Sequence, residues 1–137
     1  MEPAPAFSAK NMEGEPVSLE SLAGKVVLID CWAGWCSPCM AKMPQLKALY
    51  KRRHDAGFEV IGVNFDHDRA RAEELIKTVD LPWSEVYVPD DERTRGLWAD
   101  GPGITTLPRL FLIDRAGILR WAGGPGELEA RVNLLFE

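Results

Sequence analysis

The sequence predicts an α/β chain built on a central mixed β-sheet with helices on both faces. Three observations predict it. Two apolar, β-branched runs, Lys25 to Trp32 and Phe58 to Phe65, lack the apolar–polar alternation of a half-exposed strand, as central strands covered on both sides do. The stretch between them changes to a helical period of about 3.6 residues. A later pair of short runs flanks Asp114-Arg115-Ala116-Gly117, the mark of an antiparallel hairpin. Parallel strands joined by a helix and followed by an antiparallel pair make a mixed sheet.

In order along the chain, Phe7-Ser8-Ala9-Lys10 and Pro16-Val17-Ser18-Leu19 flank a turn-prone segment containing Gly14 and read as an N-terminal hairpin. The first central strand follows, with Asp30 as its only acid. From Pro38, a residue suited to a helix's first turn, Met40, Met43, Leu46, Leu49 and Tyr50 share one face. Lys42, Lys47, Lys51 and Arg52 take other faces. Pro44 is expected to kink this helix, which runs on to His54, and Gly57 stops it. After the strand Phe58 to Phe65, a helix over Asp68 to Val79 turns Ala72, Leu75, Ile76 and Val79 inward. Glu85 to Val88 reads as a short strand, Glu92 to Trp98 as a brief helix, and Gly101-Pro102-Gly103 as a bend. Arg109 to Ile113 and Ile118 to Ala122 form the closing hairpin. Gly126 to Phe136 closes the chain as a helix.

At 137 residues and 15.3 kDa the chain matches the usual size of one domain, about 100–150 residues. No repeat or linker divides it, so a single domain over 1–137 is expected. Hydrophobic residues at 46% and charged residues at 27% exclude disordered compositions. The apolar run Val26 to Ile29 is four residues, far short of the roughly 20 a bilayer span needs. A formal charge of −5 and a pI near 5.1 argue against a nucleic-acid partner, which calls for a basic face. Met1-Glu2-Pro3-Ala4-Pro5 lacks the basic and apolar regions of a leader. The chain therefore reads either as cytosolic or as an exported protein whose leader has been trimmed.

Three cysteines are too few, and odd in number, for a disulfide-stapled scaffold. Cys31 lies in an apolar run and reads as a small core residue, with strand alternation pointing it away from Asp30. Cys36 and Cys39 form a C-x-x-C pair in Trp35-Cys36-Ser37-Pro38-Cys39, between a buried strand and an amphipathic helix. Cys36 then stands at a helix N-terminus, where unpaired N–H groups and the helix dipole stabilise a thiolate. That thiolate can attack a disulfide, and Cys39, one turn on, can resolve the mixed disulfide by closing the Cys36–Cys39 bond. A zinc site completed by His54 and His67 is the alternative, but a strand separates the two histidines and finger spacing is missing.

The stretch Asp30-Cys31-Trp32-Ala33-Gly34-Trp35-Cys36-Ser37-Pro38-Cys39 resembles the active-site segment of the thioredoxin superfamily. The N-terminal hairpin, Pro44 and Phe111-Leu112-Ile113-Asp114-Arg115-Ala116-Gly117-Ile118 are similar to its TlpA-like branch, from about Phe7 to Phe136. The resemblance implies a thioredoxin-like fold and a thiol–disulfide oxidoreductase, with Cys36 attacking and Cys39 resolving. It further implies that Pro108 is the cis-proline facing the cysteines and that the Leu107 backbone pairs with the substrate chain. Trp35 contributes to the surface around Cys36. Asp30 corresponds to the buried acid behind the motif, with a raised pKa and the role of taking the proton from Cys39. Many TlpA-like chains carry an acid three residues after the second cysteine; here that residue is Lys42, which leaves Asp30 as the sole candidate acid. Replacing a costly buried acid by Asn is then expected to raise stability.

The implied partners are protein disulfides or dithiols and an upstream thiol redox partner, met by a monomer in a reducing role. No cofactor or metal is implied. Since the branch is often exported or membrane-anchored, the resemblance favours an extracytoplasmic or periplasmic location. A peroxiredoxin is the alternative within the superfamily; it requires Thr three residues before its peroxidatic cysteine, where Ala33 precedes Cys36 and Cys36 itself precedes Cys39. A non-catalytic interaction domain is the alternative of another class, opposed by the intact set Cys36, Cys39, Asp30 and Pro108.

Overall fold

All seven residues from Val26 to Trp32 are buried, which accounts for the missing alternation in this run. The computed structural model describes residues 3–89 and 106–137. The run forms β3 (Val26–Trp32), the central strand of a five-stranded sheet. Its parallel neighbour is β4 (Phe58–Asn64), which pairs in parallel with β5 (Ser84–Tyr87). On the other side β6 (Arg109–Ile113) runs antiparallel to β3, and β7 (Leu119–Gly123) antiparallel to β6. β1 (Ser8–Lys10) and β2 (Pro16–Ser18) form the separate N-terminal hairpin. The mixed sheet read from the sequence is present, with strand ends shifted by one residue in several places.

The active-site helix is interrupted where Pro44 predicts. α1 (Ser37–Ala41) and α2 (Met43–Arg53) are separated at Lys42, and Pro44 lies in the first turn of α2. A proline there cannot donate to the carbonyl four residues back, so the ladder breaks. After a 3₁₀ turn over His54–Ala56, Gly57 ends the helix at φ +99°, a left-handed conformation that glycine adopts without a Cβ clash. α3 (Arg69–Val79) begins at Asp68, whose side chain accepts the Ala70 N–H at 3.0 Å. α4 (Leu128–Leu134) ends the fold after a 3₁₀ turn.

The core has two faces. On one, Leu28, Trp32, Val60 and Leu112 of the sheet pack with Met43, Leu46 and Leu49 of α2, Leu75 of α3, and Leu128 and Val132 of α4. On the other, Ile29, Cys31, Val63 and Phe111 pack with Phe7 and Val17 of the hairpin segment. Among the described residues the packed α-helices lie on the first face, and the hairpin with the 3₁₀ turn Glu20–Leu22 covers the second. The brief helix read at Glu92 to Trp98 and the bend at Gly101-Pro102-Gly103 lie outside the described residues. No described helix is long and apolar enough to cross a membrane.

The N-terminal segment reaches both ends of the sheet. Ala4 N–H donates to Gly117 O at 2.8 Å and Pro3 bridges to Ile118, beside the start of β7. In the hairpin turn, Met12 N–H donates to Glu85 O at 2.9 Å on the outer edge of β5.

Candidate active site

β3 delivers the chain into the turn that carries the cysteines. Phe65 N–H donates to Trp32 O, and Cys36 N–H turns back to Ala33 O. The turn is pinned from below by Asp66, whose two carboxylate oxygens accept the Gly34 N–H at 3.1 and 2.9 Å. Asn64 donates to the same carboxylate at 2.8 Å, so Asp66 is buried and held from two sides. The sequence reading does not single out this clamp.

Cys36 is the N-cap of α1 and is joined to Cys39 by a disulfide, with Cα atoms 5.2 Å apart. The Cys39 N–H donates to Cys36 Sγ at 3.3 Å. A donor aimed at that sulfur favours its thiolate once the bond is reduced. Cys36 retains 5% exposure and Cys39 none, so an incoming sulfur can reach only the first. Trp35, 57% exposed, stands beside Cys36 and stacks on His67 with ring centroids 6.1 Å apart. His54 lies past the end of α2, stacked on Tyr50. The Leu107–Pro108 peptide is cis. Arg109 pairs with Cys31, which sets Leu107 and Pro108 beside the strand end leading into the motif. Leu107 packs against the cluster that holds both cysteines. Cys31 is buried on the opposite face of the sheet from Asp30, as alternation predicts, and burial pushes its thiol pKa well up.

Asp30 is completely buried on the face beneath α1, and it has company. Lys42, which the helical period places on a polar face, turns inward instead and is 3% exposed. Its Nζ stands 2.9 Å from Asp30 Oδ2 and donates to Cys39 O at 3.1 Å. The helix break at Lys42 is what lets this side chain leave the solvent face. Asp30 Oδ1 accepts no hydrogen bond from the described residues. Burial pushes the Asp30 pKa up, while the Lys42 charge and hydrogen bond pull it back.

Among the described residues Glu85 is a third buried acid beside Asp30 and Asp66, and it lies on the same face of the sheet as Asp30. Asp30, Gly62 and Glu85 occupy one register row across β3, β4 and β5. Gly62 leaves the middle of the row bare, and a Cβ there would collide with the Glu85 carboxyl. Glu85 therefore lies over β4. Trp32 Nε1 donates to its Oε1 at 2.8 Å and Trp83 Nε1 to its Oε2 at 2.6 Å. Desolvation pushes the Glu85 pKa up from 4.5 to about 8; the Asp30 charge adds to the rise, and the two indoles and Lys42 oppose it. The sequence signal for it is Gly62, a lone glycine inside a buried strand, which marks a close approach from a neighbour.

The structure thus sets Cys36 and the buried Cys39 at the start of α1, with exposed Trp35 beside Cys36 and with Asp30 and Lys42 behind them. The family described as AhpC/TSA matches residues 1–122. Among curated proteins, a thiol-disulfide oxidoreductase ResA of Bacillus cereus is 32% identical over 114 residues, 83% of this chain and 63% of that protein. The thioredoxin-like protein YneN of Bacillus subtilis is 31% identical over 120 residues, 85% of this chain and 66% of that protein. The chain spans less than two thirds of the length of these relatives. Among solved structures, a thiol-disulfide oxidoreductase from Bacteroides fragilis NCTC 9343 superposes with a TM-score of 0.81 at 30% identity, covering 98% of this chain and 99% of that one. The thioredoxin domain of a thiol-disulfide oxidoreductase from Bacteroides vulgatus gives 0.81 at 25% identity, covering 98% and 96%.

Proposed function

This chain belongs to the AhpC/TSA family and has a TlpA-like thioredoxin fold, and from that membership we propose that its Cys36–Cys39 pair exchanges disulfides with protein substrates, acting as a reductant. The observation that carries the reading is the asymmetry of the pair. Cys36 reaches solvent and receives the Cys39 N–H, while Cys39 is sealed beneath it.

In the reduced protein the Cys36 thiolate attacks one sulfur of a client disulfide, forming a mixed disulfide and releasing the client's other sulfur as a thiolate. The Cys39 thiol then gives its proton to the Asp30 carboxylate, whose Oδ1 carries no competing hydrogen bond. The resulting Cys39 thiolate attacks Cys36 Sγ. The Cys36–Cys39 bond forms, the bond from Cys36 to the client breaks, and the client leaves with both sulfurs reduced. Trp35 supplies an exposed apolar contact for the client chain, and the Leu107 backbone pairs with it as a short β-bridge beside Pro108. An upstream dithiol partner returns the pair to its reduced form. Residues 1–137 act as a single domain, and as a monomer.

Reduction of insulin disulfides tests the proposal. The wild-type protein turns insulin over in the presence of a thiol reductant, and Cys36→Ser does not. A wild type no faster than the reductant alone would overturn the reading.

A further inference from the structure

Behind the motif, on one face of the sheet, lie the Asp30 and Glu85 carboxyls and the Lys42 ammonium. Lys42 is committed to Asp30 at 2.9 Å, so among the described residues Glu85 has no cation of its own. Its two oxygens receive only indole N–H groups, which can donate but never accept. Both contacts favour an ionised carboxylate; burial opposes it. Glu85 reaches over bare Gly62 in the register row that ends in Asp30, so no side chain of β4 stands between the two acidic residues. Like charges so placed cannot ionise independently.

We propose that Glu85 is a positioning residue for disulfide exchange: its ionisation, felt across Gly62, raises the proton affinity of Asp30 and so sets the rate at which Cys39 is deprotonated to resolve a mixed disulfide. The inference rests on the functional reading above and names a further residue for the same site. When Glu85 holds its proton, Asp30 and Lys42 form a neutral pair and Asp30 is a weak base. When Glu85 ionises, the added negative charge strengthens Asp30 as a base. The step itself is unchanged: the proton passes from Cys39 Sγ to the Asp30 carboxylate, and the electron pair left on sulfur forms the Cys36–Cys39 bond as the client thiolate departs. A Glu85 pKa near 8 places the transition in an accessible pH range.

The groups facing Glu85 are few. Asp30 comes from β3 and Lys42 from the break between α1 and α2. The indoles of Trp32 and Trp83 do not titrate, and Tyr50 packs edge-on against Trp83. Glu13 and Glu15, exposed in the hairpin turn, line the surface cavity outside β5 and remain in every variant below.

The test uses the reduced full chain and 5,5′-dithiobis(2-nitrobenzoate) in stopped flow. Attack by Cys36 releases one thionitrobenzoate; resolution by Cys39 releases the second, and its rate is followed from pH 6 to 10. The wild-type resolving rate climbs through an added inflection near pH 8. Glu85→Gln, locked neutral, lacks that inflection and falls behind by roughly 3- to 10-fold at the alkaline end, as a base weakened by up to about one pK unit would. Trp83→Phe keeps the carboxyl but removes a donor to its ionised form, so its inflection moves to higher pH. This second variant serves if Glu85→Gln does not fold. A curve of unchanged shape in either variant, merely scaled at all pH values, overturns the role of Glu85 and leaves the disulfide-exchange reading standing. Failure of the wild type to release the second thiol overturns both.

Discussion

Lys42 Nζ meets Asp30 Oδ2 at 2.9 Å, with both side chains almost completely removed from solvent. The same nitrogen donates to the Cys39 carbonyl, so one ammonium ties the buried acid to the main chain of Cys39. The carboxylate behind the disulfide is therefore half of an ion pair.

This pairing reverses the stability expected of Asp30→Asn. Removing one partner of a buried pair leaves the other charge uncompensated, at a cost of about 3–5 kcal/mol. Asp30→Asn and Lys42→Met are each expected to lower stability by that order, and the double variant by less than their sum. Urea unfolding of the four proteins measures the coupling. A gain in stability for Asp30→Asn alone would show the pair to be unimportant.

Cys36 is the thiol expected to react first. Cys39 and Cys31 are fully buried, and burial holds the Cys31 thiol well above its ordinary pKa. A short iodoacetamide pulse on the reduced protein near neutral pH, read by peptide mass spectrometry, is expected to label Cys36 several-fold faster than either, given a thiolate favoured at a helix start. Equal labelling of Cys39 would remove the asymmetry on which the reaction order depends.

Glu85 gives stability a pH dependence with a definite sign. Its pKa is about 8 in the folded chain against 4.5 for a free carboxyl. Between those values the folded state keeps a proton that the unfolded state has lost. Stability attributable to this group is therefore fully present below pH 4.5, declines as pH rises toward 8, and is flat above. Thermal melts across this range are expected to show a shallower decline for Glu85→Gln than for the wild type. Parallel curves would mean that Glu85 titrates alike in both states.

Gly62→Ala inserts a methyl group where the Glu85 carboxyl lies. That carboxyl is pinned by two indoles and cannot swing away without orphaning both N–H groups. A loss of roughly 2–4 kcal/mol follows from overpacking together with an unsatisfied buried donor. The tryptophan fluorescence of the folded protein is expected to change as well, since Trp32 and Trp83 lose their acceptor. A fully stable variant would show that the row has slack.

Much of the fold and the site is legible in the sequence because local signals agree. The non-alternating, mostly apolar run of β3, the proline break in the helix and the Trp35-to-Cys39 motif each name an element and its place. Periodicity misplaces Lys42 because it assumes a continuous helix, and the Pro44 break rotates that residue inward. Glu85 escapes a linear reading because its partners come from distant stretches: Trp32 lies 53 residues away, and the facing position, Gly62, has no side chain to draw attention. Asp66 escapes for the same reason, since it clamps a backbone N–H 32 residues earlier in the chain. Contacts between strands set by register leave little trace in a linear pattern.

The hydrogen bond from Met12 to the Glu85 carbonyl also bears on how molecules of this protein meet one another. β5 is an outermost strand, and an unpaired outermost strand invites a second chain to extend the sheet. The hairpin turn occupies the outward carbonyl at Glu85, and Arg69 anchors that turn by donating to the Met12 carbonyl at 3.3 Å. A neighbouring molecule would have to displace this turn before it could pair with β5 at Glu85, so part of this border of the sheet is already taken by the chain's own N-terminal hairpin.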